Sequence, residues 1–133
     1  MASETVRTTL PLKSTRRKPR CSANASSTSS QRLLGEGTVE TIVTGDDMTR
    51  LKPDPEVYQC ALAELGFAPE EALAVEDSAL GLRAALDAGI ATIVVTTDYT
   101  AGQDFTGTVA VRSSYGGTEP LSTPLCQRLH RRW

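Results

Sequence analysis

The sequence has little of what marks a membrane, exported or nucleic-acid-binding protein. No apolar run approaches the ~20 residues a membrane helix requires, and the N-terminus lacks the apolar stretch of a secretory signal. Cysteine is scarce: Cys21, Cys60 and Cys126 lie far apart and form no Cys-x-x-Cys pair. Their spacing therefore indicates neither a zinc site nor a disulfide framework, and a reducing compartment is the default. The expected location is the cytoplasm. Positive charge is not in excess either, since 14 Lys and Arg face 16 Asp and Glu for a net charge of -2. Such a balance argues against holding nucleic acid by bulk electrostatics, and the basic ends lack the aromatic interleaving of single-strand binders. Histidine occurs once, as His130 in a basic C-terminal run, and is read as incidental.

A chain of 133 residues allows one ordinary domain, and it is short for an α/β enzyme that needs both a sheet and a cap. Residues 1–37 are rich in Ser, Thr, Arg and Lys and show no periodicity, which predicts a disordered basic segment. The same composition occurs in organelle transit peptides, so chloroplast or mitochondrion is the alternative location. Residues 38–114 read as a partial α/β core domain. Residues 115–133 read as an irregular basic tail, in which Pro120 and Pro124 oppose a helix before Leu125 although Leu121, Leu125 and Leu129 recur at intervals of four.

Within the core region, Val39 to Thr44 reads as a strand that ends in the turn Gly45-Asp46-Asp47. Asp54 is a natural helix cap with Pro55 at the first helical position, and Gly66 stops the helix. Val57, Ala61 and Leu65, flanked by Tyr58 and Leu62, give that helix a buried face. Ala72 to Val75 is an apolar run that stops at Glu76-Asp77. A second helix spans Ala79 to Ala88 with Gly89 as its stop, and Ile90 to Val95 is a continuous β-branched run suited to a strand covered on both faces. Val109 to Val111 supplies one more strand. The alternation predicts an α/β fold, a partial doubly wound, Rossmann-like parallel sheet with disordered N- and C-terminal tails. Uncovered strand edges in such a partial sheet predict self-association or pairing with another chain.

Ligands of open parallel sheets bind beyond the carboxyl ends of the strands, and the polar residues that need explaining lie there. Lys52 stands directly before a helix N-terminus, where its charge and the helix dipole both favour a phosphate. Glu76 and Asp77 follow the second strand, where adjacent carboxylates offer hard oxygen ligands to Mg2+. Each has a plainer reading. Lysine before Pro-Asp-Pro is by itself a surface residue in a turn, an Asp-Ser pair before a helix is by itself a cap, and Gly45-Asp46-Asp47 is most simply a turn.

Taken together, Val43-Thr44-Gly45-Asp46-Asp47, Leu51-Lys52-Pro53-Asp54-Pro55-Glu56-Val57-Tyr58, Ala74-Val75-Glu76-Asp77-Ser78, Gly81-Leu82-Arg83-Ala84-Ala85 and Ala88-Gly89 resemble the haloacid dehalogenase-like hydrolase superfamily. The similarity is to its phosphoglucomutase-like, CbbY-type subgroup of sugar-phosphate phosphatases, and it runs over about half of the chain, in the manner of the family's C-terminal half. The resemblance implies a magnesium-dependent phosphatase or phosphomutase acting on a phosphorylated small molecule, a sugar phosphate. It makes Lys52 the lysine of the third motif, which steadies the charge on the nucleophile and the transferring phosphoryl group. Glu76 and Asp77 become the acids of the fourth motif, which hold Mg2+. The Ser or Thr of the second motif, which binds phosphate, has its counterpart in Ser27 or Thr28, ahead of Leu33-Leu34. Tyr99-Thr100 and Asp104-Phe105 match the loop after the next strand and read as scaffolding.

The family's nucleophile is the first aspartate of an N-terminal Asp-x-Asp motif, followed by a helical cap that selects the substrate. The first 45 residues here contain no aspartate, and no cap is recognisable. The resulting expectation is a truncated phosphatase that lacks its nucleophile. The alternative is a non-catalytic α/β module that binds a phosphate-bearing ligand or a partner protein.

Overall fold

The computed structural model describes Val43 and residues 48–133. Helix α1, Glu56–Leu65, starts one residue later than the caps suggest, with Pro55 in the capping position and no side-chain cap. Asp54 still does part of the work, because its Oδ1 accepts the Glu56 amide at 3.0 Å. The helix ends as expected on Gly66, whose φ of 73° is left-handed and whose amide bonds back to the Leu62 carbonyl. Glycine takes that backbone conformation without the steric cost of a Cβ.

A short 3-10 turn, Pro69–Glu71, leads into strand β1, Leu73–Glu76. Helix α2, Ala79–Asp87, is capped by Ser78, whose hydroxyl accepts the Gly81 amide. Strand β2, Ala91–Val95, is buried at every residue, as the continuous β-branched run predicts. Strand β3 is Ala110–Arg112. All three strands pair in parallel in the order β1-β2-β3, with Glu76 opposite Val94 and Val95 opposite Arg112. The α/β class and the parallel sheet are therefore as read from the sequence. Within the described residues strand order follows chain order. Of the predicted first strand only Val43 is described, and it is buried in the core.

The core under β1 is built largely from small side chains. Ala61, Ala72, Ala74, Ala84, Ala85 and Ala88 join Val43, Val57, Tyr58, Cys60, Leu62 and Ile90 in one cluster, with Met48 and Phe67 packed against it. Alanine on both sides lets α1 and α2 sit close to the strand and to each other, and leaves no slack for a larger residue. No helix among the described residues is long and apolar enough to cross a membrane.

Two readings need correction. The C-terminal segment is not irregular throughout: Thr123–His130 forms helix α3, with Pro124 in its first turn and Leu125 buried. Proline is tolerated there because the first amides of a helix have no partner within it, and the leucine spacing of four was the signal for the inward face. Cys60 is disulfide-bonded, although widely spaced cysteines gave no disulfide framework, because separation along the chain does not set separation in space.

Two substitutions test the packing. Ala84, which is fully buried, should not accept leucine: Ala84→Leu is expected to cost about 2 kcal/mol through overpacking, read as a lower urea midpoint. Leu80 is 58% exposed, and Leu80→Ala should change stability by no more than ~0.5 kcal/mol.

Candidate functional site

The carboxyl ends of the parallel strands gather the residues singled out by the sequence. Glu76 is the last residue of β1, inside the strand and not after it. Alternation along a strand therefore decides its direction: Ala74 and Glu76 share the buried face, and Asp77, one residue on, is exposed. Two neighbouring carboxylates thus have opposite environments. Glu76 is 6% exposed and must be compensated where it lies, since an isolated buried charge is expensive.

The compensation comes from the α1 side. Lys52 Nζ donates to Glu76 Oε1 at 2.8 Å, with the lysine side chain 24% and the glutamate side chain 5% exposed. The Tyr58 hydroxyl donates to the same oxygen. The Lys52 ammonium also lies 5.7 Å from the centre of the Tyr58 ring, within the range of a cation-π contact. Burial first, and then the Glu76 and Asp77 carboxylates, hold the Tyr58 hydroxyl far above its ordinary pKa. It is therefore a permanent donor.

The other side of the Glu76 carboxylate lies over α2. A Cβ placed on Gly81 would fall 1.8 Å from Glu76 Oε2, so glycine at this helical position is what admits the acid. Beside it, Gln103 Oε1 in the loop after β2 accepts the Ala79 amide at 2.8 Å and ties that loop to the start of α2. Asp104 accepts both the amide and the hydroxyl of Thr106, which fits the scaffolding read for this loop.

Of the residues proposed from sequence, Lys52, Glu76 and Asp77 are thus brought to one edge of the sheet, and the first two are in direct contact. Thr28, Ser27 and the Gly45-Asp46-Asp47 turn lie outside the described residues. Tyr58 and Gly81 were not read as site residues. The signals were present: a tyrosine on a buried helical face needs an acceptor for its hydroxyl, and a glycine inside a helix is destabilising by about 1 kcal/mol relative to alanine unless a close approach requires it. The helix end expected to assist Lys52 is partly engaged already, because Asp54 Oδ1 accepts the Glu56 amide. Any anion at this edge meets Lys52 more than the end of α1.

The donor set suits Mg2+ in kind, since that ion is commonly bound by one or two carboxylates with water and substrate phosphate completing its shell. Glu76 and Asp77 are the residues that could hold it. Among the described residues no group of three or more His, Cys, Asp or Glu side chains is gathered to cage a metal by itself.

Comparison with known proteins defines the class. The profile of the haloacid dehalogenase-like hydrolase family matches residues 23–95, and the chain belongs to that family. It is 43% identical over 86 residues to a CBBY-like protein of Arabidopsis thaliana, a match covering 63% of this chain and 27% of the other. Over 60 residues it is 42% identical to the phosphorylated carbohydrates phosphatase of Thermotoga maritima, covering 45% and 28% of the two chains. Among solved structures, CbbY from Rhodobacter sphaeroides in complex with phosphate superimposes with a TM-score of 0.54 at 42% identity, covering 58% of this chain and 34% of that one. A mutant of the same protein in complex with xylulose-(1,5)bisphosphate gives 0.55 at the same identity. The chain therefore spans between about a quarter and a third of the length of these relatives.

The unequal burial of the two carboxylates has a measurable consequence. Glu76→Ala strands Lys52 and Tyr58 in a partly buried site and is expected to cost about 3 kcal/mol, whereas Asp77→Ala at the exposed neighbour should stay within ~0.5 kcal/mol. Urea unfolding of both variants beside the parent chain checks the contrast.

Proposed function

We propose that this chain carries the lysine and carboxylate half of a sugar-phosphate phosphatase site. The observation that supports the reading most directly is the Lys52 to Glu76 contact of 2.8 Å at the carboxyl end of β1, in a family whose similar members include a phosphatase of phosphorylated carbohydrates and a protein seen with phosphate and with a sugar bisphosphate. In this reading Lys52 meets the non-bridging oxygens of a phosphate monoester and offsets charge that builds as the phosphoryl group transfers. Glu76 and Asp77 hold Mg2+, which when bound supplies charge neutralisation at those same oxygens. Thr28, within the stretch matched by the family profile, completes the phosphate contacts through its hydroxyl. Substrate choice lies with segments other than the described residues.

Positioning and charge neutralisation without a nucleophile give little turnover. The absence of aspartate from residues 1–45 accordingly favours, as the second reading, a module that binds phosphate esters without cleaving them. One experiment on the full chain tests whether the site turns over, only binds, or does neither. Phosphate release from an aryl phosphate with Mg2+ is expected to be negligible, while inorganic phosphate binds by titration calorimetry and Lys52→Ala removes the binding. Robust release that needs Mg2+ and disappears in Asp77→Ala would establish the enzyme instead, and absence of both release and binding would sink either reading.

Self-association through an uncovered sheet edge belongs to the same proposal. Among the described residues β3 pairs with β2 alone, and its Val111 is 51% exposed. Sedimentation velocity over a range of concentrations is expected to show association. A single monomer boundary throughout would count against it.

A further inference from the structure

We propose that Tyr58 is a positioning residue for Lys52, setting through the Glu76 carboxylate how much of the lysine's charge is offered to a phosphate monoester. This inference rests on the reading of Lys52 as the phosphate-facing group.

Three observations carry it. First, the Tyr58 hydroxyl and Lys52 Nζ converge on one atom, Glu76 Oε1. Second, the carboxylate has little freedom to turn elsewhere. It ends a strand, is almost fully buried, and lies with Oε2 directly over Gly81, where even a methyl group would collide with it. Third, Tyr58 is fixed from behind: it is 2% exposed, in the cluster that packs α1 against β1 and α2.

The chemistry follows from sharing an acceptor. A carboxylate oxygen that accepts from two donors divides its charge between them, and a buried ion pair with a second, neutral donor is better satisfied than the same pair alone. With the hydroxyl in place, Glu76 anchors the ammonium without neutralising it completely. Without the hydroxyl, the whole of that oxygen's charge turns on Lys52, the pair tightens, and an incoming phosphate must compete with a stronger internal anion. The ring contributes separately, through its face beneath the ammonium, and phenylalanine retains that contribution. The hydroxyl is therefore the part to remove.

The test uses the full chain and two readouts. Titration with inorganic phosphate gives affinity, and the side-chain 15N ammonium resonance of Lys52, assigned by its loss in Lys52→Arg, reports the state of the lysine without any ligand. Tyr58→Phe is expected to weaken phosphate binding about tenfold, the scale of one hydrogen bond to a charged group, and to shift the Lys52 resonance. A purely structural tyrosine would lower the thermal midpoint but leave that resonance in place. Gly81→Ala, which crowds Glu76 Oε2 from α2, should shift the same resonance and serves as the control that this signal reports the Glu76 carboxylate, while Tyr58→Trp, which also lacks the hydroxyl, is the second variant if Tyr58→Phe does not fold. An unchanged Lys52 resonance and unchanged affinity in a folded variant overturn the inference. If the parent chain does not bind phosphate at all, the functional reading fails, and the ligand-free resonance still decides whether Tyr58 positions Lys52.

Discussion

The arrangement turns on one constraint, a carboxylate that ends a buried strand face and has to be answered inside the protein. Glu76 cannot reach bulk water from the inner side of β1, so a cation and a hydroxyl must come to it. Lys52 and Tyr58 both come from the chain entering and forming α1. The same demand fixes what lies beneath, since only glycine at position 81 leaves room for Oε2. Charge satisfaction at one atom thereby ties together α1, β1 and α2, of which β1 and α2 contribute only alanines to the shared apolar cluster while α1 supplies its larger side chains.

Much of this was legible in the chain because local chemistry and global pattern agree. The left-handed stop at Gly66, the serine cap before Ala79 and the continuous β-branched run of β2 each appear in the sequence as what they are in the fold. Lys52, Glu76 and Asp77 could be placed at a common sheet edge because parallel strands put all their carboxyl ends on one side. What escaped depends on contact at a distance. Whether an acid at the close of a strand points inward turns on a shift of one residue in the strand's end, which periodicity over so few residues does not resolve. Tyr58 looked like one more member of an apolar stripe, because the atom that answers its hydroxyl is 18 positions away. The C-terminal helix was obscured by Pro124, whose effect reverses between the interior and the first turn of a helix.

The two adjacent acids show how a strand end distributes roles. The residue that completes the alternation is drawn into structure, and the next, freed from it, is left to solvent. A carboxylate pair of this kind offers a ligand one rigid oxygen donor and one adaptable one.

The bond from Gln103 to the Ala79 amide carries a consequence for the loop that follows β2. A side-chain amide that reaches across 24 positions to one backbone N–H measures the span between them. Insertion or deletion between Thr96 and Gly102 changes that span and leaves the Ala79 amide to solvent, while the Ser78 cap on Gly81 stays in place. That stretch thus acts as a spacer whose length, more than its individual solvent-facing side chains, sets whether the bond forms.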